Sequence, residues 1–168
     1  MKIVEGLKRL RVIEKRLAAN RESITRYSSM VSTEKPLFET EDKQRKEVTS
    51  LIQSCNDLVS EYLKTKKQIE QTNLKITVEI GGVSHTISDL LTLKRKLSNL
   101  MIKTYYALND TAGESRLRNA STVEGKTPHV VRFYKEESRN EGLRLWQDLY
   151  DNIESRLEVI NATTDLVE

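Results

Sequence analysis

Residues 48–72 read VTSLIQSCNDLVSEYLKTKKQIEQT. Val48, Leu51, Cys55, Leu58, Tyr62, Thr65 and Ile69 recur at alternating steps of three and four. That spacing lines side chains along one narrow stripe of an α-helix. Ile52, Val59 and Leu63 sit beside the stripe, and lysines and glutamates fill much of the rest. The pattern predicts a helix from about 40 to 72 that needs a partner helix along its length.

The partner lies upstream. Ile3, Leu7, Leu10, Leu17 and Ile24, widened by Val4, Val12 and Ile13, predict a helix over roughly 2–29. Residues 28–37, rich in Ser and Thr and ending near Pro36, form the connection. At ~1.5 Å per residue both helices reach about 40 Å or more. The helices expected downstream are shorter, so part of this pair is expected to find its partner in another subunit. The chain is therefore expected to be a homo-oligomer.

The period then changes. In ITVEIGGVSHTI (76–87), Ile76, Val78 and Ile80 alternate with polar residues, as do Val83, His85 and Ile87. Gly81-Gly82 supplies the two left-handed residues of a tight hairpin turn. Folding about it pairs Ile80 with Val83, Val78 with His85 and Ile76 with Ile87, all on one face. His85 reads there as a core-edge side chain rather than a ligand. Thr86-Ile87-Ser88-Asp89 is a capping box opening a third helix, with Leu90, Leu93, Leu97 and Leu100 as its seam and an end near Asn109. A second capping box, Ser138-Arg139-Asn140-Glu141, opens a fourth helix carrying Leu145, Trp146, Leu149, Ile153, Leu157 and Ile160.

The expected fold is mainly α. It is an antiparallel helical bundle or coiled coil of about four helices, with one small β-hairpin (about 76–87) and a long loop (about 110–134). The chain is expected to be a single helical domain, residues 1–168, with a two-helix coiled-coil part (about 2–72) and a hairpin plus two shorter helices (about 76–162).

Composition excludes several chemistries. Cys55 is the only cysteine, so no intramolecular disulfide and no multi-cysteine metal site is expected. Two histidines with no paired acidic motif do not make a metal site. No Gly-x-Ser-x-Gly elbow and no isolated carboxylate pair occur. No catalytic residue, cofactor or metal is assigned, and the expectation is a non-enzyme. No stretch resembles a signal peptide, and no uncharged run approaches the ~18 residues a membrane helix needs. A cytoplasmic protein without membrane partners is expected, in the bacterial cytoplasm or, if phage-encoded, in the host cytoplasm or virion.

Charge is unevenly spread. Residues 94–135 hold nine Lys/Arg against three acids, whereas residues 140–168 hold seven acids against two Arg. These blocks can pair within or between chains, or the basic one can meet an anion.

One tripeptide inside the basic block invites a sharper reading. RNASTVEGKTPHVV (118–131) contains Gly125-Lys126-Thr127, the tail of a phosphate loop, with Ala120 in the first glycine's place. Such a loop needs a buried strand before it and a helix after it. The preceding residues are polar and basic, and Pro128 leads into an extended-looking segment, so a nucleoside triphosphatase site is not expected. Two readings of the loop remain. Arg116, Arg118, Lys126, His129 and Arg132 could clamp an anionic ligand, a nucleotide or a nucleic-acid backbone. Alternatively the loop is a strap across the bundle, with Val130, Val131 and Phe133 tucked in as a strand.

Three stretches carry a family resemblance: MKIVEGLKRLRVIEKRL (1–17), QIEQTNLKITVEIGGVSHTISDLLTLKRKL (68–97) and LRLWQDLYDNIESRLEVINATTDLVE (143–168). Together they resemble the septicolysin-like family of small bacterial and phage proteins. In that family an Ile-x-x-Thr-Asn element precedes a Gly-containing turn and a Leu-rich helix, and the chain ends in Asn-x-x-Thr-x-Leu. Ile69, Thr72, Asn73, Asn161, Thr164 and Leu166 match. Lys94-Arg95-Lys96 departs from the Arg-Asp pair of the relatives. The resemblance implies no catalytic residues. The expected function is a self-associating helical interaction or assembly protein, such as a phage-encoded accessory or structural component; the alternative is an anion binder acting through the loop at 110–134.

Overall fold

The computed structural model describes residues 1–167. The chain is mainly α with one two-stranded antiparallel sheet. It divides into two compact units: Met1–Ile76 with the chain end from Val159, and Thr77–Glu158. No helix among the described residues is long and apolar enough to cross a membrane.

In the first unit, α1 (Ile3–Tyr27) and α2 (Glu41–Lys75) run antiparallel. Cross-helix bonds step in opposite directions along the two: Arg9 to Glu61 at 2.6 Å, Tyr62 to Glu14 at 3.0 Å, Asn20 to Ser54 at 3.1 Å. The seam buries Ile3, Leu10, Ile13, Leu58 and Ile69, with Thr65 and Thr72 among them. The expected stripe of α1 needs correcting. Its second buried position is Gly6, and Leu7 and Val12 both face outward. A β-carbon on Gly6 would lie 3.0 Å from Leu166 Cδ1 and 3.3 Å from Ile69 Cδ1. The helix backbone itself is therefore the packing surface there.

The start of α2 is fixed by Thr40, whose hydroxyl accepts from the Lys43 N–H at 3.2 Å, and by Glu41 and Asp42 in the positive first turn. Buried Gln44 ties the connection down. Its side chain accepts from the Leu37 N–H and donates to the Tyr27 carbonyl, both at 2.9 Å. Tyr27 and Phe38 meet edge to face at 4.9 Å.

The chain end returns to the start of α1. Ile3 N–H donates to Thr164 O at 3.0 Å, Leu166 N–H to Met1 O at 2.8 Å, and Val167 N–H to Thr72 Oγ1 at 3.0 Å. Lys2 pairs with Asp165 at 2.6 Å. Ile69, Thr72, Thr164 and Leu166, four of the residues quoted for the resemblance, thus gather at one end of the coiled coil.

In the second unit, β1 (Thr77–Ile80) and β2 (Val83–Thr86) pair in the expected register, Val78 with His85 and Ile80 with Val83. Gly81 and Gly82 take φ of +60° and +79°, as a two-residue hairpin turn demands. The capping box also forms: Asp89 N–H donates to Thr86 Oγ1 at 3.0 Å, and Thr86 N–H to Asp89 Oδ2 at 2.9 Å.

From there one rod runs as α3 (Ile87–Thr92), a π-helical turn (Leu93–Leu97) and α4 (Ser98–Tyr106). The π turn overturns the expected leucine seam. Its wider spacing, with the Ser98 N–H bonded to Leu93 O, shifts every later residue around the axis. Leu90 and Ser98 are buried, and Leu97 and Leu100 face solvent.

The expected loop at 110–134 is not wholly loop, because α5 (Thr111–Leu117) occupies its start. Nor are Val131 and Phe133 tucked in as a strand. Phe133 is 97% exposed, and of the three only Val130 is partly covered. The last helix, α6 (Glu136–Thr163), begins two residues before the expected box, so Ser138 lies inside it. Glu136 and Glu137 occupy its first turn, where the helix dipole favours acids, and Lys135 O accepts the Arg139 N–H at 3.1 Å. Gly142 of α6 lies against the Tyr105 ring of α4.

Candidate functional site

Asp110 organises the segment from α5 to α6. Its carboxylate accepts from Arg132 Nε at 2.9 Å on each oxygen and from the Tyr134 hydroxyl at 2.8 Å. Arg132 also reaches Glu136 at 3.3 Å. The guanidiniums of Arg132 and Arg139 lie 5.9 and 5.8 Å from the Tyr134 ring centre. The hydrogen bonds from Arg132, and then from Tyr134, hold the Asp110 carboxyl below its ordinary range. The same bond to Asp110 raises the Tyr134 hydroxyl. This is a charged clasp, and it takes Arg132 out of the set of cations expected to meet an anion.

The remaining members of that set are placed separately. Arg116 lies in the last turn of α5 and Arg118 just beyond it, Lys126 in a turn, and His129 on the exposed stretch after Pro128. Their side chains make no hydrogen bond or ion pair among the described residues. Only Arg132 is joined to a specific partner group.

The Gly-Lys-Thr question now has a geometric answer. Glu124 and Gly125 take φ of +51° and +75°, making a two-residue turn that closes an isolated bridge between Val123 and Lys126. The Lys126 N–H donates to Val123 O at 3.0 Å, so it does not face an open phosphate cradle. No strand precedes the turn within the unit after α5, and the next helix starts only at Glu136.

Elsewhere the chemistry is sparse. An open cavity of about 330 Å³ sits at the tip of the coiled coil, lined by Tyr27, Met30, Gln44, Arg45 and Val48 among others. Its lining also includes Glu41 and the hydroxyl residues Ser28, Ser29 and Thr49. No cluster of three or more His, Cys, Asp or Glu suited to a metal occurs among the described residues.

A further feature is apolar. On the coiled coil, Leu7, Ile52, Val59 and Leu63 are exposed, Leu63 at 63%. Numbering the heptads from the buried seam puts Leu7, Ile52 and Val59 at the flank between the helices and Leu63 beside it. Such a flank is where a third helix packs. Its sequence signal was present in Ile52, Val59 and Leu63, which lie beside the seam rather than on it.

Comparison with protein-family models, with curated proteins and with solved structures yields no match. The resemblance to the septicolysin-like family therefore rests on its short motifs alone.

Proposed function

We propose that this chain is a non-enzymatic assembly protein that works in the cytoplasm by associating with copies of itself. The observation that carries this reading is the apolar flank of the two-helix coiled coil. Leu7, Ile52, Val59 and Leu63 are exposed at positions a two-stranded coil normally fills with charge. Sedimentation velocity across a wide concentration range is the test. Weight-average mass should rise well above that of one chain, and a single-chain mass at every concentration would overturn the reading.

A second reading is supported by the unpaired cations. Arg116, Arg118 and Lys126 lie on one exposed segment with no charge partner in the described chain, a set suited to a nucleotide or nucleic-acid backbone. Replacing these three with Ala, and leaving Arg132 in its clasp, should abolish salt-sensitive binding of a single-stranded oligonucleotide. Binding that survives the triple change would rule this reading out.

A further inference from the structure

Two exposed helix faces of the second unit carry the same spacing with opposite charge. On the rod ending in α4, Lys96, Leu100 and Lys103 stand at i, i+4 and i+7. All three are exposed, Leu100 at 49%. On α6, Glu141, Leu145 and Asp148 stand at the same i, i+4 and i+7, all exposed, Leu145 at 59%. In both sets the outer charges are seven residues apart, about 10 Å along a helix. Each set has a leucine between its charges. Neighbouring charges are already engaged: Lys94 with Glu154 at 2.8 Å, and Arg139 with Glu136 at 3.3 Å. Lys96, Lys103, Glu141 and Asp148 have no ion-pair partner among the described residues.

The two faces lie on different sides of the α4–α6 pair. Tyr105 packs on Gly142 and Lys94 bonds Glu154, so these positions mark where α4 and α6 meet. On the rod, Lys96, Leu100 and Lys103 lie across the axis from Ser98 and Tyr105. On α6, Glu141, Leu145 and Asp148 lie about a quarter-turn around the axis from Gly142, on the side away from Glu154. A surface and its complement at two different places on one body make a heterologous contact, which propagates from copy to copy until it closes as a ring or grows as a filament.

We infer that copies of this chain assemble head to tail, with the Lys96–Leu100–Lys103 face of one copy seated on the Glu141–Leu145–Asp148 face of the next. This deepens the self-association reading above and rests on it. Each contact would bury two leucines and bring two pairs of opposite charges together.

Two charge-reversed variants test it. One carries Lys96→Glu with Lys103→Glu, the other Glu141→Lys with Asp148→Lys. Circular dichroism first establishes that both fold, as substitutions at exposed helix positions should. By sedimentation at low salt, each variant alone should associate at least tenfold more weakly than the wild type, because its two faces now carry like charge. An equimolar mixture should recover wild-type association, since each variant then offers the complement of the other. If the wild type associates and the mixture does not recover, head-to-tail assembly is overturned while self-association stands. If the wild type stays a single chain throughout, both fall together.

Discussion

The ring of Tyr105 lies on the Cα of Gly142 so closely that a β-carbon there would overlap ring atoms. Two opposing effects meet at this position. Alanine is the better helix former by about 1 kcal/mol, but overpacking costs ~1–3 kcal/mol. Gly142→Ala should therefore lower stability in urea unfolding. In a Tyr105→Ala background the same change should raise it, because only the propensity gain is left. Equal effects in the two backgrounds would show that the ring does not set the constraint.

The Asp110 clasp makes a pH-dependent contribution. Its carboxyl is depressed in the folded chain by the bonds from Arg132 and Tyr134. A depressed acid stabilises at pH above its unfolded value, 3.8, and loses that stabilisation as pH falls below 3.8 through the folded value. The difference in urea midpoint between wild type and Asp110→Asn should be constant from neutral pH to about 5 and shrink below ~3.8. A difference that stays unchanged down to strong acid would contradict the clasp.

Ser98 is fully buried, and its hydroxyl has no hydrogen-bond partner among the described residues. Desolvating an unpaired hydroxyl costs about 1–3 kcal/mol. Ser98→Ala removes that group and costs no helix propensity, so thermal unfolding should move upward by several degrees. A drop would mean the hydroxyl does have a partner in solution.

Thr72 joins the chain end to α2. Its hydroxyl donates to Gln68 O at 2.7 Å and accepts from Val167 N–H at 3.0 Å. Thr72→Val keeps the shape and leaves the Val167 N–H without its acceptor, at a cost of about 1–3 kcal/mol. Thr72→Ser should restore most of the loss. Amide hydrogen exchange at Val167 reads the bond directly, and it should quicken in the valine variant only.

What the sequence disclosed was local. The heptads of α2, the Gly81-Gly82 turn with its strand register, and the Thr86–Asp89 box each depend on residues close together, and each is found where expected. Two of the misreadings have the opposite property. Gly6 rather than Leu7 is buried because Leu166, from the far end of the chain, presses on it. Arg132 read as a free cation because its partner Asp110 lies 22 residues earlier. Leu90, Leu93, Leu97 and Leu100 fit an ordinary helix perfectly well, and nothing in their spacing announces a π turn between them. Of the five side chains singled out, the structure gives a definite role to one, Arg132, and that role is internal.

The π turn acts as a phase slip. Were the rod uninterrupted α-helix with one residue fewer between Leu93 and Leu97, every residue of α4 would take the angular place of its predecessor. Asn99 and Lys103 would then rotate toward α6, where Ser98 and Ile102 now stand. One supernumerary residue thus sets the polarity of the whole rod, so insertions and deletions here act on faces far from where they occur.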